Sequence, residues 1–185
     1  MATRNWDSFH RRGAVLRAVI EEADARLDGS LPTDLPGVAD AFPDDLALIA
    51  ALQLRWHTRL SGRIEQALVD LPSDLETAVL TGWRNTAADL PGIRAILDAY
   101  AERPTSEEMR RALETSQRKD GVLMASMAGR ASPADAGAAG IGRRMEEQAR
   151  MAYTLTPRLR GQQRHRRGCP SQSLVERIKA GIGAA

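Results

Sequence analysis

The segment between Pro43 and Pro72 has apolar residues at helical spacing along its whole length. These positions recur every three or four residues, or at multiples of that spacing, at Leu46, Ile49, Trp56, Leu60, Ile64, Leu68 and Leu71. This period is typical of an α-helix with one apolar face. It predicts a helix over 43–71, about 29 residues and roughly 43 Å long at about 1.5 Å per residue. We expect this helix to be the central element of the domain.

The rest of the chain up to residue 156 follows the same helical pattern. Strand-favouring residues are scarce, since the whole chain contains seven valines, eight isoleucines and seven aromatic residues. A first helix is predicted to end near Asp28, capping boxes at Ser73 and Thr105 to start two later helices, and Ser132 with Pro133 to begin the last. The sequence therefore predicts an all-α fold, an antiparallel bundle of about six helices with one long central helix, plus a basic C-terminal tail.

The composition also predicts how closely these helices pack. Leu, Ile, Val and Phe together number only 37 of 185 residues, whereas alanine is abundant. A core built largely from small side chains requires helices that approach one another closely. The glycine-rich segment 137–144 is consistent with this packing, and its spacing matches neither common nucleotide-binding fingerprint.

Charge is distributed unevenly along the chain and separates a body from a tail. Residues 1–100 carry 15 acidic residues and 10 arginines, whereas residues 157–185 carry seven basic residues and Glu176 as the sole acid. We therefore predict a helical bundle domain at 1–156 and a basic, largely flexible tail at 157–185. Within the tail, Ser173 and Glu176 favour a short terminal helix.

The tail includes the stretch RLRGQQRHRRGCP at 158–170. It places five arginines close together, at Arg158, Arg160, Arg164, Arg166 and Arg167. Because arginine pairs bidentately with phosphate, they predict sequence-independent affinity for a polyanion such as nucleic acid. No aromatic residue is interleaved and the body has no zinc-finger spacing, so phosphate contact is indicated rather than base readout. Two alternatives remain: the tail binds the protein's own acidic body, or it is only solvated.

Two tryptophans define a second candidate site. Helical bundles bind small ligands between their helices, so a pocket lined by Trp56 and Trp83, beside His57, is the alternative ligand-binding prediction. The competing interpretation places both tryptophans in the core and directs His57 towards solvent.

The sequence has no pattern typical of a metal, a cofactor or an assembled catalytic set. Its histidines, His10, His57 and His165, lie in three separate regions, and Cys169 is the only cysteine. A lone cysteine excludes an internal disulfide, and scattered histidines do not form a metal motif. We therefore expect no cofactor and no metal, and the pattern argues against an enzyme.

Together these features favour a small cytoplasmic helical adaptor or regulatory protein, of bacterial type, that binds a macromolecular partner. That partner is expected to be a protein, with nucleic acid contacted through the tail, and the oligomeric state is left open. No apolar run approaches about 20 residues and the first residues lack a secretory-signal pattern, so no membrane association is expected. The alternative is a helical domain that senses a small apolar ligand near Trp56 and Trp83.

Overall fold

The computed structural model describes the backbone of residues 2–154 and the side chains of residues 10–153. Over these residues the chain is helical and has no strand, which confirms the all-α prediction. The helices of this part are α1 (Ala2–Arg26), α2 (Val38–Ala41), α3 (Asp45–Asp70), α4 (Leu75–Asp89), α5 (Pro91–Glu102), α6 (Glu107–Met127) and α7 (Ala138–Thr154). None of these seven is both long and apolar enough to cross a membrane.

The helices up to residue 150 belong to one compact unit, residues 1–150. Of the second unit, residues 151–185, the structure describes only the end of α7. The basic tail and short terminal helix predicted at 157–185 lie outside the described residues, as do Cys169 and His165.

The long helix α3 begins later than the sequence predicted. Pro43 precedes the helix, and Asp44 is its N-cap, accepting a 2.7 Å hydrogen bond from the N–H of Ala47. The prediction of Pro43 as the first helical residue is therefore wrong, because the Asp44 side chain satisfies an N–H group that the first turn leaves unpaired. The buried apolar face of α3 comprises Leu48, Ile49, Leu52, Trp56, Leu60, Ile64 and Ala67. The helix packs mainly against α4 and also contacts α5 and α6.

Two other helix starts are shifted by one residue. The N-caps of α4 and α6 are Asp74 and Ser106, and each side chain accepts a 3.0 Å hydrogen bond from the N–H three residues later. The capping boxes predicted at Ser73 and Thr105 were thus one residue early, since Asp and Ser cap as well as their neighbours do. Ser132 does not begin the last helix, because a turn precedes α7.

Glycines allow helices to meet backbone to backbone at two crossings. A Cβ atom on Gly142 of α7 would overlap the backbone of Gly121 in α6. A Cβ atom on Gly92 of α5 would likewise overlap the backbone of Ala23 in α1. These crossings are the close contacts expected from a composition poor in large apolar residues, and within segment 137–144 it is Gly142 that makes such a contact.

Candidate functional site

The two tryptophans singled out in the sequence lie together in the core. Trp56 of α3 and Trp83 of α4 are each 2 % exposed, and their ring centroids lie 6.0 Å apart in an edge-to-face arrangement. The guanidinium carbon of Arg94 lies 4.7 Å from the Trp56 centroid, and that of Arg150 lies 5.2 Å from the Trp83 centroid. Each indole is therefore covered by a cation at a distance that favours a cation–π interaction.

Two carboxylates connect these arginines and tie α5 to α7. Arg150 donates hydrogen bonds to both carboxylate oxygens of Asp98, at 2.8 and 2.9 Å, and to Glu146 at 2.6 Å. Arg94 pairs with Asp98 at 2.7 Å. Burial raises the pKa of Asp98, but the hydrogen bond from Arg150 and the charges of Arg94 and Arg150 outweigh it, so the pKa is lowered. The four residues form a charged cluster above the tryptophans.

A short contact joins His57 to α6. Its Nδ1 lies 2.6 Å from Oδ1 of Asp120, and the imidazole is 39 % exposed while the Asp120 side chain is 11 % exposed. Burial raises the pKa of Asp120, although the hydrogen bond and the charge of His57 act in the opposite direction. The structure therefore gives His57 a structural partner 63 residues away in sequence. The small-ligand site at Trp56, His57 and Trp83 stays a prediction.

Sequence reasoning missed the charged cluster. Arg94 with Asp98, and Glu146 with Arg150, are spaced four residues apart, a spacing typical of ion pairs on an exposed helix surface. One signal could have found them: α5 is short and mostly apolar, so two opposite charges within it indicate a partly buried pair.

A groove of about 710 Å³ lies between α6 and α7. Of the described residues, four arginines and three glutamates form its charged lining, and Gln117, Ala139 and Gly140 are the uncharged lining residues. Glu146 and Arg150 belong to both the groove and the charged cluster. The sequence analysis singled out only the part of this lining that lies in segment 137–144. The rest could not be found from the sequence, because α6 and α7 meet through tertiary packing.

Most acidic side chains at 10–100 are engaged within the body. Those in ion pairs with arginines of the body are Glu22, Asp34, Glu76, Asp89 and Asp98. Those that accept hydrogen bonds from backbone N–H groups or uncharged side chains are Asp24, Asp28, Asp44, Glu65, Asp70 and Asp74. Within this described range, only Glu21, Asp40 and Asp45 make neither kind of contact.

The predicted polyanion-binding arginines, Arg158, Arg160, Arg164, Arg166 and Arg167, lie outside the described residues. Within the described residues, no three His, Cys, Asp or Glu side chains converge on a position that could hold a metal ion. No protein-family model matches the chain, no curated protein matches its sequence, and no solved structure matches its fold.

Proposed function

We propose that the protein is a small helical adaptor or regulatory protein that binds a macromolecular partner and contacts nucleic acid through its tail. The contact is independent of sequence and is made by the five tail arginines at 158–167. Each can neutralise a backbone phosphate and release the counterions condensed on it, which favours binding.

The engagement of the body's acidic side chains carries this proposal. A basic tail finds its anions either on its own body or on another molecule. Among the acidic side chains of the described range 10–100, only those of Glu21, Asp40 and Asp45 make no hydrogen bond or ion pair. Five of the other acids already pair with arginines of the body, so docking the tail on them would exchange one guanidinium group for another and gain little free energy. Nucleic acid offers phosphates without that competition.

The protein partner is supported by apolar side chains exposed where α3 is followed by α4. Val69 is 76 % exposed, Leu75 is 41 % exposed and Leu71 is 37 % exposed. All three lie between residues 69 and 75, and an exposed apolar patch is typical of a protein–protein contact. This surface and the tail would serve different partners of one adaptor.

The test compares the wild-type chain with a full-length variant in which the tail arginines are neutralised, R158Q/R160Q/R164Q/R166Q/R167Q. Binding to a short fluorescent DNA duplex is measured by anisotropy over a range of salt concentrations. We expect the slope of log affinity against log salt to become shallower by about 4.5 in the variant, at about 0.9 per phosphate contact. Equal slopes and affinities would contradict the proposal. So would a tail that is protected from hydrogen exchange at low salt in a protein with little DNA affinity, since that result indicates docking on the body.

A further inference from the structure

We infer that the groove between α6 and α7 is a second nucleic-acid contact, in which Arg118, Arg143 and Arg144 bind the phosphodiester backbone. This inference rests on the proposed function, because it takes nucleic acid as the partner. It adds a contact site on the folded body, at residues that the tail does not include.

Three arginines of the groove are available to a ligand. Arg118 of α6 and Arg143 and Arg144 of α7 are exposed, and they form no hydrogen bond or ion pair within the part of the chain that the structure describes. The fourth arginine of the lining, Arg150, differs because it donates to Asp98 and Glu146. The available side chains are therefore cations whose charge no neighbouring carboxylate compensates directly.

The glutamates of the groove do not neutralise these three cations. Glu114 pairs with Arg110, and Glu146 pairs with Arg150. Glu147 is the one lining acid that makes no ion pair among the described residues. Three uncompensated positive charges against one negative charge make the groove attractive to an anion.

The crossing of α6 and α7 fixes the two walls of the groove relative to each other. Gly142 directly precedes Arg143, and Gly121 lies three residues after Arg118, so the arginines extend from backbone segments that are in contact. A Cβ atom on Gly140 would meet nothing within 4 Å, which leaves space at the start of α7. Backbone positions that are set before binding reduce the entropy lost when a ligand is bound.

The chemistry of the lining favours a chain of phosphates over other ligands. Among the described residues that line the groove none is aromatic, so they offer a base no ring to stack on, and Ala139 is the only one with an apolar side chain. Arginine binds phosphate oxygens bidentately. Three guanidinium groups on two helices can bind more than one phosphate at a time, and a nucleic-acid backbone repeats phosphates regularly.

The test uses three full-length proteins and the same DNA duplex. The groove variant is R118Q/R143Q/R144Q, and the matched control is R17Q/R55Q/R103Q, which removes the same charge from exposed arginines that make no ion pair in the described part. We expect the groove variant to lose about 2.7 from the slope of log affinity against log salt, and the control to keep the wild-type slope. Equal behaviour of the two variants would overturn the inference, since net charge would then explain the loss.

A gain of binding provides the complementary measurement. E147Q removes the unpaired acid of the groove and is expected to tighten DNA binding, an effect that misfolding does not produce. Unchanged or weaker binding by E147Q would count against the site. The tail variant separates the two proposals: wild-type binding by that variant together with a loss in the groove variant refutes only the tail. The reverse pattern refutes only the groove.

Discussion

Gly142 of α7 lies against the backbone of Gly121 in α6, with no room for a side chain between them. This contact sets the separation of the two helices that form the groove. It also sets the position of Glu146, one turn further along α7, which pairs with Arg150 at 2.6 Å. The groove and the charged cluster therefore both depend on one crossing of small residues.

A methyl group at that crossing is expected to destabilise the protein. In Gly142→Ala the new Cβ overlaps the Gly121 backbone, so the helices must separate, at a cost of about 1–3 kcal/mol in the free energy of unfolding. Gly140→Ala is the matched control, because its Cβ meets nothing within 4 Å. Alanine in a helix there should be neutral or stabilising by up to ~1 kcal/mol. Urea denaturation measures both, and equal effects would contradict the close crossing.

Truncation of Trp56 tests its place in the core. The side chain is 2 % exposed and packs on Trp83 and beneath Arg94. We expect Trp56→Ala to cost about 3–5 kcal/mol of stability, as is usual for a buried aromatic residue. Leu54→Ala, at a position 67 % exposed on the same helix, should stay within about 0.5 kcal/mol of wild type. A loss below about 1 kcal/mol for Trp56→Ala would show that the indole is not buried.

Two aspartates are expected to change the pH dependence of stability in opposite directions. Burial raises the pKa of Asp98, but Arg150 and Arg94 together lower it by more, so its folded-state pKa lies below the usual 3.8. The contribution of this pKa shift to stability is fully present above pH 3.8 and is lost as the pH falls through the folded-state pKa. Burial raises the folded-state pKa of Asp120 above 3.8 despite His57. The contribution of that pKa shift is present below 3.8 and is lost as the pH rises through the folded-state pKa.

The measurement is the free energy of unfolding of wild type, Asp98→Asn and Asp120→Asn at several pH values in the acid range. The stability difference between wild type and Asp98→Asn should grow as the pH rises. The difference between wild type and Asp120→Asn should shrink over the same range. Trends of the same sign for the two variants would mean that one of the two environments has been assigned incorrectly.

The N-cap of α6 provides a prediction at single-residue precision. The Ser106 side chain accepts a 3.0 Å hydrogen bond from the N–H of Met109, whereas the adjacent Thr105 is exposed and makes no such bond. We expect Ser106→Ala to cost about 1 kcal/mol and Thr105→Ala to be nearly neutral. Thermal unfolding of the two variants distinguishes them, and the opposite order would restore the capping box predicted at Thr105.

The helical nature of the described chain follows from the sequence alone, because helix formation depends on neighbouring residues. The apolar period of α3 and the prolines on either side of it are local signals, and they placed this helix to within a few residues. The same signals could not choose between adjacent capping residues, since Ser73 and Asp74 have similar capping ability. The errors at the helix starts are therefore local ambiguities.

The charged cluster and the groove were decided only by tertiary structure. His57 and Asp120 are 63 residues apart, and Asp98 and Arg150 are 52 apart, so no local pattern pairs them. Periodicity indicates which face of a helix is apolar, but it does not specify which two helices meet or at what separation. That choice depended on where glycines such as Gly121 and Gly142 let backbones touch. With these helices in contact, the four residues of the charged cluster lie partly buried beside the tryptophans, although their spacing is typical of surface ion pairs. The same packing places Arg118, Arg143 and Arg144 around one groove.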